Sequence, residues 1–399
     1  MLTFTELLEA ARRSPLYDGW SFQEAPLPEQ PGDAHWRIRP TLDPDRLARY
    51  LSQHAHLSPD GSRHFLSSGT LGKPKLIPFS ESDLERLADL CGRFSALEGI
   101  NAQSRSMVLL PMASWTVGRI TMDGHRRVGA QVHGMDLHGG VTAWQQACDA
   151  IRPTVISSTP SVLAAWAPHY HGPPMTLLET TGEPLLESER RLIEARFGAF
   201  VHDAYGLTEC VVGVECAMRQ GFHYWPDSVF VEILDPKDDR LMPAGTKGEI
   251  VLTSFQQGSV PILRYRSGDL GWLAEAPCPC GRREPLVHLY GRKTPALALP
   301  RGVKLDRDSL EGAMQSWGYD HPQVIWKGTP GSPALPFVTD HFRPTLEITW
   351  RGKADEADDP VLLRRLSDQF PELAELVHER VLDLALSPRE GVHHHGRTA

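Results

Sequence analysis

The sequence has no apolar run long enough to cross a bilayer, which takes about 18 consecutive residues. Its first thirteen residues carry acids and arginines and lack the apolar core of a secretory signal. It also lacks a long basic stretch, and 41 Lys and Arg against 50 Asp and Glu give a net charge of −9 at pH 7. We therefore expect a cytoplasmic protein whose main partner is neither a membrane nor a nucleic acid.

Cysteine is also scarce, because six in 399 residues do not form the framework of a secreted disulfide scaffold. Four metal-ligand side chains fall into two pairs, Cys216 with His223 and Cys278 with Cys280. Three thiolates and one imidazole are the closed, tetrahedral ligand set of a structural zinc site. In the alternative interpretation, Cys216 packs in the core and the other two cysteines are free thiols. The remaining cysteines are expected to be packing residues: Cys91, Cys148 and Cys210.

Hydrophobic periodicity predicts that strands and helices alternate through about the first 290 residues, which indicates a mixed α/β fold. The predicted strands are at 108–110, 155–157, 229–234 and 249–252. The predicted helices begin at Ser80 and Ser161 or span 144–151 and 187–197. A strand at 346–350 and two helices within 360–386 indicate a small C-terminal α+β domain. We expect a large domain over residues 1–290, a hinge at 291–303 and a small, lid-like domain over 304–399.

The sharpest local pattern is a loop of glycines, hydroxyl residues and lysines at positions 67–75. Its backbone amides and hydroxyls can surround phosphate oxygens, and its lysines add positive charge. It is not a Walker loop, because Pro74 stands where a serine or threonine would hold magnesium. A polar turn is the structural alternative. The residues concerned are Ser67, Ser68, Gly69, Thr70, Gly72, Lys73 and Lys75.

Three further motifs supply groups that the rest of a nucleotide needs. In the segment 203–209, a tyrosine ring can stack on a base, a threonine can bind phosphate and a glutamate can hold Mg²⁺. In the segment 264–271, an aspartate can accept from both ribose hydroxyls. The segment 180–185 is a Thr-Thr-Gly-Glu-Pro-Leu turn. Taken alone, each has a structural alternative, namely a loop with a core tyrosine, a salt-bridged turn and a turn before a helix.

Together and in this order, the four motifs resemble the adenylate-forming superfamily of acyl-CoA ligases, luciferases and peptide-synthetase adenylation domains. Three segments resemble its phenylacetate–CoA ligase and coenzyme F390 synthetase branch. They are Ala-Arg-Arg-Ser-Pro-Leu-Tyr at 11–17, Ser-Thr-Pro-Ser at 158–161 and Cys-Pro-Cys-Gly-Arg at 278–282. The resemblance covers about residues 10–310 and implies a large multi-sheet adenylation domain followed by a small α+β domain.

The resemblance implies a role for each motif residue. The loop at 67–75 would bind the phosphates of ATP, with Lys75, Thr208 and Glu209 acting in catalysis and Glu209 holding Mg²⁺. Asp269 would bind the ribose, and Arg292 belongs to the hinge motif. The adenine would be lined by two groups of residues: Gly182, Glu183 and Pro184, and Ala204, Tyr205 and Gly206. Elements similar to the Cys/His set occur in this branch, where they tie a loop to the main domain.

The implied reaction joins a carboxylic acid to AMP with loss of pyrophosphate and then transfers the acyl group to a thiol of CoA or phosphopantetheine. The resemblance implies an acyl pocket near Trp115, Gly118, Gly182 and Gly206. Such a pocket would suit a planar aromatic acid, unless Trp115 is a core residue. The expected partners are a small carboxylic acid, a carrier protein or a downstream reductase or transferase, and a second copy in a homodimer.

The sequence departs from the family pattern at one hinge position and in its C-terminal stretch. Thr294 stands where the family has an acidic hinge residue, and the stretch 387–397, matched to the final segment, has no lysine, since the last one is Lys353. Arg389, Arg397 or a histidine could substitute. The departures are compatible with an acyl-adenylate used for reduction or for amide or ester formation, and with a nucleotide-binding pseudo-enzyme. A further alternative is a metal-dependent hydrolase that uses His133, His138 and the Cys/His cluster, but these two histidines lack the spacing of a metal-binding helix.

Overall fold

The computed structural model describes residues 1–20, 29–54, 62–66, 75–112, 115–135, 137, 140–293, 296–298, 304–317, 320–327, 345–351, 360–378 and 383–389. The chain divides into two compact units. The larger comprises Met1–Ser67 with Pro74–Lys293, and the smaller comprises Ser68–Lys73 with Thr294–Ala399. Both units contain helices and strands, so the predicted mixed α/β class is confirmed.

The large unit is built around an eleven-stranded sheet. Its helices are α1 (Phe4–Arg13), α2 (Ala34–Arg37), α3 (Pro44–His54), α4 (Glu81–Glu98), α5 (Thr116–Arg127), α6 (Gly140–Ile151), α7 (Pro160–Trp166) and α8 (Glu187–Phe197). Its strands are β1 (Arg63–Leu66), β2 (Leu76–Phe79), β3 (Arg105–Leu109), β4 (Gln131–Met135), β5 (Val155–Ser158), β6 (Leu177–Thr181), β7 (Val201–Leu207), β8 (Cys210–Glu215), β9 (Phe222–His223), β10 (Val229–Leu234), β11 (Gly248–Ser254), β12 (Ile262–Leu273) and β13 (Leu286–Arg292).

The order of the large sheet is β10-β11-β12-β13-β9-β8-β7-β6-β5-β3-β4, and β1 and β2 form a separate antiparallel pair. Strands β4, β3, β5, β6 and β7 run parallel, whereas the pairs from β7 to β10 are antiparallel. Strand β5 is buried along its whole length, as expected for a parallel strand covered on both faces. Because parallel strands end at one edge, the segments that follow β3, β5, β6 and β7 meet at the carboxyl edge of the sheet.

Helix α4 shows why local sequence signals set the element boundaries. The Ser80 hydroxyl accepts the backbone N–H of Asp83, and the Asp83 carboxylate accepts the N–H of Ser80, so the first turn is capped in both directions. Gly99 ends the helix in the left-handed region with φ 99°. Leu84 and Leu87 fall on the buried face. The helix predicted from Ser80 is therefore confirmed.

The small unit combines a strand pair, a three-stranded sheet and helices. Its elements are β14 (Ala296–Ala298), β15 (Lys304–Asp306), α9 (Arg307–Ser316), β16 (Asp320–Lys327), β17 (Thr345–Arg351), α10 (Pro360–Gln369), α11 (Pro371–His378) and β18 (Asp383–Arg389). Strands β14 and β15 pair antiparallel, β16 pairs antiparallel with β17, and β17 pairs parallel with β18. The strand predicted at 346–350 is confirmed by β17.

The helical prediction for 360–386 is wrong at its C-terminal end. Helix α11 ends at His378, and Asp383–Arg389 is a strand instead. The physical reason is a long-range pairing with β17, in which Leu346 lies beside Leu384 and Ile348 beside Leu386. The local sequence propensity of residues 383–389 does not indicate a partner strand that is distant in the sequence.

Among the described residues, no helix combines the length and apolar character that a bilayer span requires.

Candidate functional site

The turn between β7 and β8 brings two predicted catalytic residues to the carboxyl edge of the sheet. Leu207 pairs with Cys210, so Thr208 and Glu209 form a two-residue hairpin loop. The side-chain amide of Gln257 donates to the backbone carbonyl of Glu209 at 2.9 Å, which fixes the loop from the neighbouring segment. Glu209 is only 4% exposed, whereas Thr208 is half-buried.

The Glu209 carboxylate faces the Lys75 ammonium and the Tyr265 hydroxyl. Lys75 forms a salt bridge with Oε1 of Glu209, and both side chains are buried. The Lys75 Nζ donates to the Tyr265 hydroxyl at 2.9 Å, and that hydroxyl donates to Glu209 Oε1 at 3.1 Å. Burial alone would raise the pKa of Glu209, but the Lys75 ammonium outweighs it and lowers this pKa. The carboxylate is therefore ionised and available to a hard cation.

A second carboxylate, that of Asp269, contacts two other predicted nucleotide-binding residues. The Tyr205 hydroxyl donates to Asp269 Oδ2 at 2.7 Å, and Arg292 Nε lies 3.0 Å from Asp269 Oδ1. Asp269 and Arg292 are cross-strand partners on β12 and β13, and the Ser267 carbonyl accepts from Arg292 at 3.0 Å. Burial and the Asp269 charge raise the pKa of Tyr205 well above its ordinary value, so Tyr205 remains a hydrogen-bond donor. A carboxylate oxygen accepts more than one hydrogen bond, so ribose hydroxyls can be added to these contacts.

The Tyr205 ring is buried and packs against Phe222 at a centroid distance of 5.6 Å. The ring therefore packs in the core, as the alternative interpretation of this motif expects, while its hydroxyl contacts the Asp269 carboxylate. On the same strand, Ala204 is half-buried and Gly206 is exposed. Adenine stacking on Tyr205 stays a prediction.

The segments after β5 and β6 are joined by Glu183. Its carboxylate accepts the backbone N–H of Ser161 at 3.1 Å and the Ser161 hydroxyl at 2.9 Å. The Ser-Thr-Pro-Ser motif at 158–161 is thereby tied to the turn at Gly182, which has φ 82° in the left-handed region. A Cβ placed on Gly182 would lie 3.5 Å from the Trp115 ring. Trp115 is half-buried beside this turn, and Pro184 is exposed.

Close packing against the backbone of Pro111 explains why residue 118 is a glycine. A Cβ at this position would meet the Pro111 carbonyl oxygen at 2.7 Å, so the first turn of α5 approaches the backbone after β3 closely. Its role in an acyl pocket stays a prediction. The loop residues Ser67, Ser68, Gly69, Thr70, Gly72 and Lys73 lie outside the described residues, as do the hinge positions Thr294 and Pro295.

The four predicted zinc ligands converge in the large unit. The ligand atoms of Cys216, His223, Cys278 and Cys280 all lie within 4.8 Å of one another. Cys216 follows β8, His223 lies in β9, and the other two cysteines lie in the loop between β12 and β13. Among the described residues, these four form a group of side chains close enough to bind one metal ion. His133, which the hydrolase alternative requires, lies in β4 and is not part of this group. His138 lies outside the described residues.

The geometry of this cluster fits zinc. Tetrahedral Zn–S bonds of about 2.3 Å put two sulfurs about 3.8 Å apart, and a sulfur and an imidazole nitrogen about 3.5 Å apart. The Sγ atoms of Cys216 and Cys278 are 3.6 Å apart, and Cys280 Sγ lies 3.4 Å from His223 Nε2. The His223 Nδ1 lies 3.0 Å from the Glu284 carbonyl, which orients Nε2 toward the thiols. Burial lowers the pKa of His223 and favours the neutral, metal-binding imidazole. As predicted for packing residues, Cys148 and Cys210 are buried, while Cys91 is partly buried.

Sequence reasoning assigned no role to Tyr265 or Gln257. Tyr265 stands inside the Arg-Tyr-Arg-Ser-Gly-Asp motif, so its neighbourhood was a usable signal. Gln257 has no such signal, because its contact to Glu209 spans 48 positions and goes to a backbone carbonyl.

The chain belongs to the AMP-binding enzyme family, whose model matches residues 17–257, more than half of the chain. The predicted membership of the adenylate-forming superfamily is thus confirmed. Among curated relatives, the phenylacetate-coenzyme A ligase of Thermus thermophilus is 29% identical over 312 residues, which cover 74% of this chain and 64% of that protein. The phenylacetate-coenzyme A ligase of Pseudomonas putida is 30% identical over 257 residues, which cover 61% of this chain and 57% of that protein. The matched region spans less than two thirds of these relatives.

Solved structures show the same fold. A 2-hydroxyisobutyryl-CoA ligase in complex with 2-HIB-AMP and CoA matches with a TM-score of 0.77 and 19% identity, over 99% of this chain and 88% of that one. The amide bond synthetase McbA from Marinactinospora thermotolerans matches with a TM-score of 0.58 and 18% identity, over 84% of this chain and 67% of that one.

Proposed function

We propose that this protein activates a carboxylic acid with ATP, forming an acyl-adenylate and pyrophosphate. The observation that carries the proposal is the pair of buried carboxylate centres, Glu209 with Lys75 and Asp269 with Arg292 and Tyr205. One is suited to a magnesium–phosphate group and the other to a ribose. The family match and the names of the relatives, which are CoA ligases, support this reading.

In the proposed reaction, a carboxylate oxygen of the acid attacks the α-phosphorus of ATP. A phosphorus–oxygen bond forms, and the bond to the pyrophosphate oxygen breaks. Glu209 would hold Mg²⁺, for which a buried carboxylate beside phosphate oxygens is a fitting ligand. The ion would offset phosphate charge when bound. Lys75 contributes a cation, Asp269 orients the ribose, and the half-buried Thr208 offers a hydroxyl to a phosphate oxygen.

The acid would lie beside Trp115, near the Gly182 turn. The half-buried Trp115 ring would offer an apolar face to the acid, which favours an aromatic acid. The sulfur of CoA would then attack the acyl carbon, so that a thioester bond forms, the bond to the AMP oxygen breaks, and AMP and the thiol proton leave, in keeping with the relatives named as CoA ligases. A carrier-protein thiol, or a downstream reductase or transferase, is the alternative acceptor.

The Cys/His cluster is proposed to hold a structural zinc ion. Four protein ligands close the tetrahedron and leave no position for a water, so the ion would not act in catalysis. By bridging the turn after β8 with the loop before β13, it would fix strands that flank the hairpin of Glu209.

The test is acid-dependent exchange of labelled pyrophosphate into ATP, with a panel of aromatic and aliphatic acids. We expect exchange with aromatic acids, and we expect Glu209→Gln to lower its rate at least a hundredfold. Glu85→Gln is the matched control, because Glu85 is an exposed glutamate on α4. If calorimetry detects ATP binding but no acid supports exchange, the proposed enzymatic activity is rejected and the protein is a nucleotide-binding protein.

A further inference from the structure

Tyr265 is buried between the two partners of the proposed magnesium centre. Its side chain is 2% exposed, and its hydroxyl contacts both Lys75 Nζ and Glu209 Oε1. A hydroxyl has one proton to donate and lone pairs to accept. Since an ammonium can only donate and a carboxylate can only accept, the hydrogen bonds have a fixed direction, from Lys75 to Tyr265 and from Tyr265 to Glu209.

The N-terminal segment holds the backbone of Tyr265 in place. Strand β13 pairs with β12 only from Asp269 onward, so the first part of β12 needs other partners on that side. The Leu42 N–H donates to the Arg264 carbonyl at 2.9 Å, and the Leu42 carbonyl accepts from the Arg266 N–H at 2.9 Å. The backbone on both sides of Tyr265 is thus fixed by one residue.

Tyr17, from the branch-specific motif at 11–17, supports the same strand. Its hydroxyl donates to the Pro261 carbonyl at 2.8 Å and accepts from the Leu263 N–H at 2.8 Å. The Tyr17 hydroxyl therefore acts both as donor and as acceptor to the backbone at the start of β12. This gives the N-terminal motif a physical task that its sequence pattern did not reveal.

Arg264, next to Tyr265, adopts a backbone conformation that is unusual for a residue with a side chain. Its φ is 46°, in the left-handed region. A bidentate ion pair with Glu232, with both N···O distances 3.1 Å, and hydrogen bonds to the Arg37 and Arg39 carbonyls hold its guanidinium. Strain of this kind persists where surrounding contacts over-determine it, which is common beside functional groups.

We propose that Tyr265 is a positioning residue of the adenylation centre, whose hydroxyl holds the Glu209 carboxylate ready for magnesium. This inference rests on the proposed function. When phosphates attract Lys75, the Tyr265 hydroxyl remains as a neutral donor to Glu209 and keeps its orientation. Burial and then the Glu209 charge raise the pKa of Tyr265 well above its ordinary value, so the donor proton is retained throughout the physiological range.

The test compares wild type with Tyr265→Phe, which removes the hydroxyl and keeps the ring. We expect the Mg²⁺ concentration for half-maximal pyrophosphate exchange to rise about tenfold, with most of kcat recovered at saturating Mg²⁺. Tyr170→Phe, which removes a hydroxyl bound to the Pro173 carbonyl, is the matched control.

A second comparison asks whether Tyr265 acts through Glu209. In a Glu209→Gln background, Tyr265→Phe should have no further effect on the Mg²⁺ dependence. An unchanged Mg²⁺ curve in active Tyr265→Phe, or equal effects in both backgrounds, would overturn the inference. If Tyr265→Phe does not fold, 3-fluorotyrosine at this position, a stronger donor, should shift the Mg²⁺ curve of the enzyme, and an unchanged curve would refute the role.

The failure of the proposed function has a different signature. It would appear as no exchange in the wild type with any acid. The Mg²⁺ dependence of ATP binding is then measured by calorimetry for the same variants. A rise of about tenfold in the Mg²⁺ concentration that Tyr265→Phe needs for ATP binding supports the positioning role, and identical curves reject it.

Discussion

Lys75→Met tests the charge balance of the proposed magnesium centre. The substitution keeps the length of the side chain but leaves the Glu209 carboxylate, 4% exposed, without its ammonium partner. Removing one member of a buried ion pair costs about 3–5 kcal/mol. The Tyr265 hydroxyl still donates to Glu209, and such a bond contributes about 1 kcal/mol or more. We therefore expect a loss of about 3 kcal/mol in the free energy of unfolding without nucleotide or Mg²⁺.

The second substitution, Glu209→Gln, completes a double-mutant cycle. Replacing both partners removes both buried charges, so the double variant should lose less stability than the sum of the two single variants. A coupling energy of about 2 kcal/mol is expected for two groups in direct contact. Lys237→Met is the control, because Lys237 is exposed and should change stability by less than about 0.5 kcal/mol.

The effect of Lys75→Met should depend on pH in a defined direction. The pKa of Glu209 is lowered in the folded wild type, so its contribution is complete above its unfolded value and is lost as the pH falls through the folded value. In Lys75→Met, burial without the ammonium raises this pKa instead. The stability gap between wild type and variant should therefore be largest near pH 7 and narrow toward pH 4.

The assay is urea unfolding of the intact chain in EDTA, followed by tryptophan fluorescence. Because the chain has two compact units, the transition of the large unit is analysed by itself. A loss below about 1 kcal/mol at pH 7, additive single effects, or a gap that does not change with pH would refute the reasoning.

Three other outcomes are expected. Asp269→Ala should weaken ATP binding tenfold or more by calorimetry, since a charge-assisted contact contributes about 1.5–3 kcal/mol, and unchanged affinity would reject the ribose assignment. Elemental analysis should find one zinc per chain in the wild type and none in Cys280→Ser. Burial raises the pKa of Asp203 to about 7, so its contribution to stability is lost as the pH rises through 7, and Asp203→Asn should be the more stable form at pH 8 but not at pH 5.

Elements governed by local chemistry were predictable from the sequence. The helix predicted at 187–197 and the strand predicted at 229–234 have the observed bounds of α8 and β10. Helix α8 ends at Gly198, whose φ of 66° suits glycine, and β10 consists of apolar residues, mostly β-formers, apart from Glu232. Strand β18 was missed because it exists only through pairing with β17, which is distant in sequence.

The candidate site also has a part that the local sequence predicts and a part that it does not. The residue types of Glu209, Asp269 and the zinc set could be read from motifs, because each motif needs those side chains for its chemistry. Their partners could not, because the contact of Tyr265 with Glu209 spans 56 positions and that of Tyr205 with Asp269 spans 64. Such contacts follow from how β7, β8 and β12 are placed in one sheet, which local sequence does not encode.

The charges of the site set a requirement for any nucleotide that enters it. Among the described residues, Lys75 and Arg292 are cations at these carboxylates, and they face Glu209 and Asp269 respectively. Without a ligand these pairs are neutral, so within this described part of the site the phosphates of ATP would gain a counter-charge from a metal ion or by drawing one of the two side chains away from its carboxylate. Lys75 can leave only if Glu209 gains another positive partner, because a buried carboxylate without one costs several kcal/mol. In the proposed reaction, magnesium entry at Glu209 and the transfer of Lys75 to phosphate would therefore be one exchange, and we expect a Lys75 variant and a magnesium-free wild type to fail at the same step.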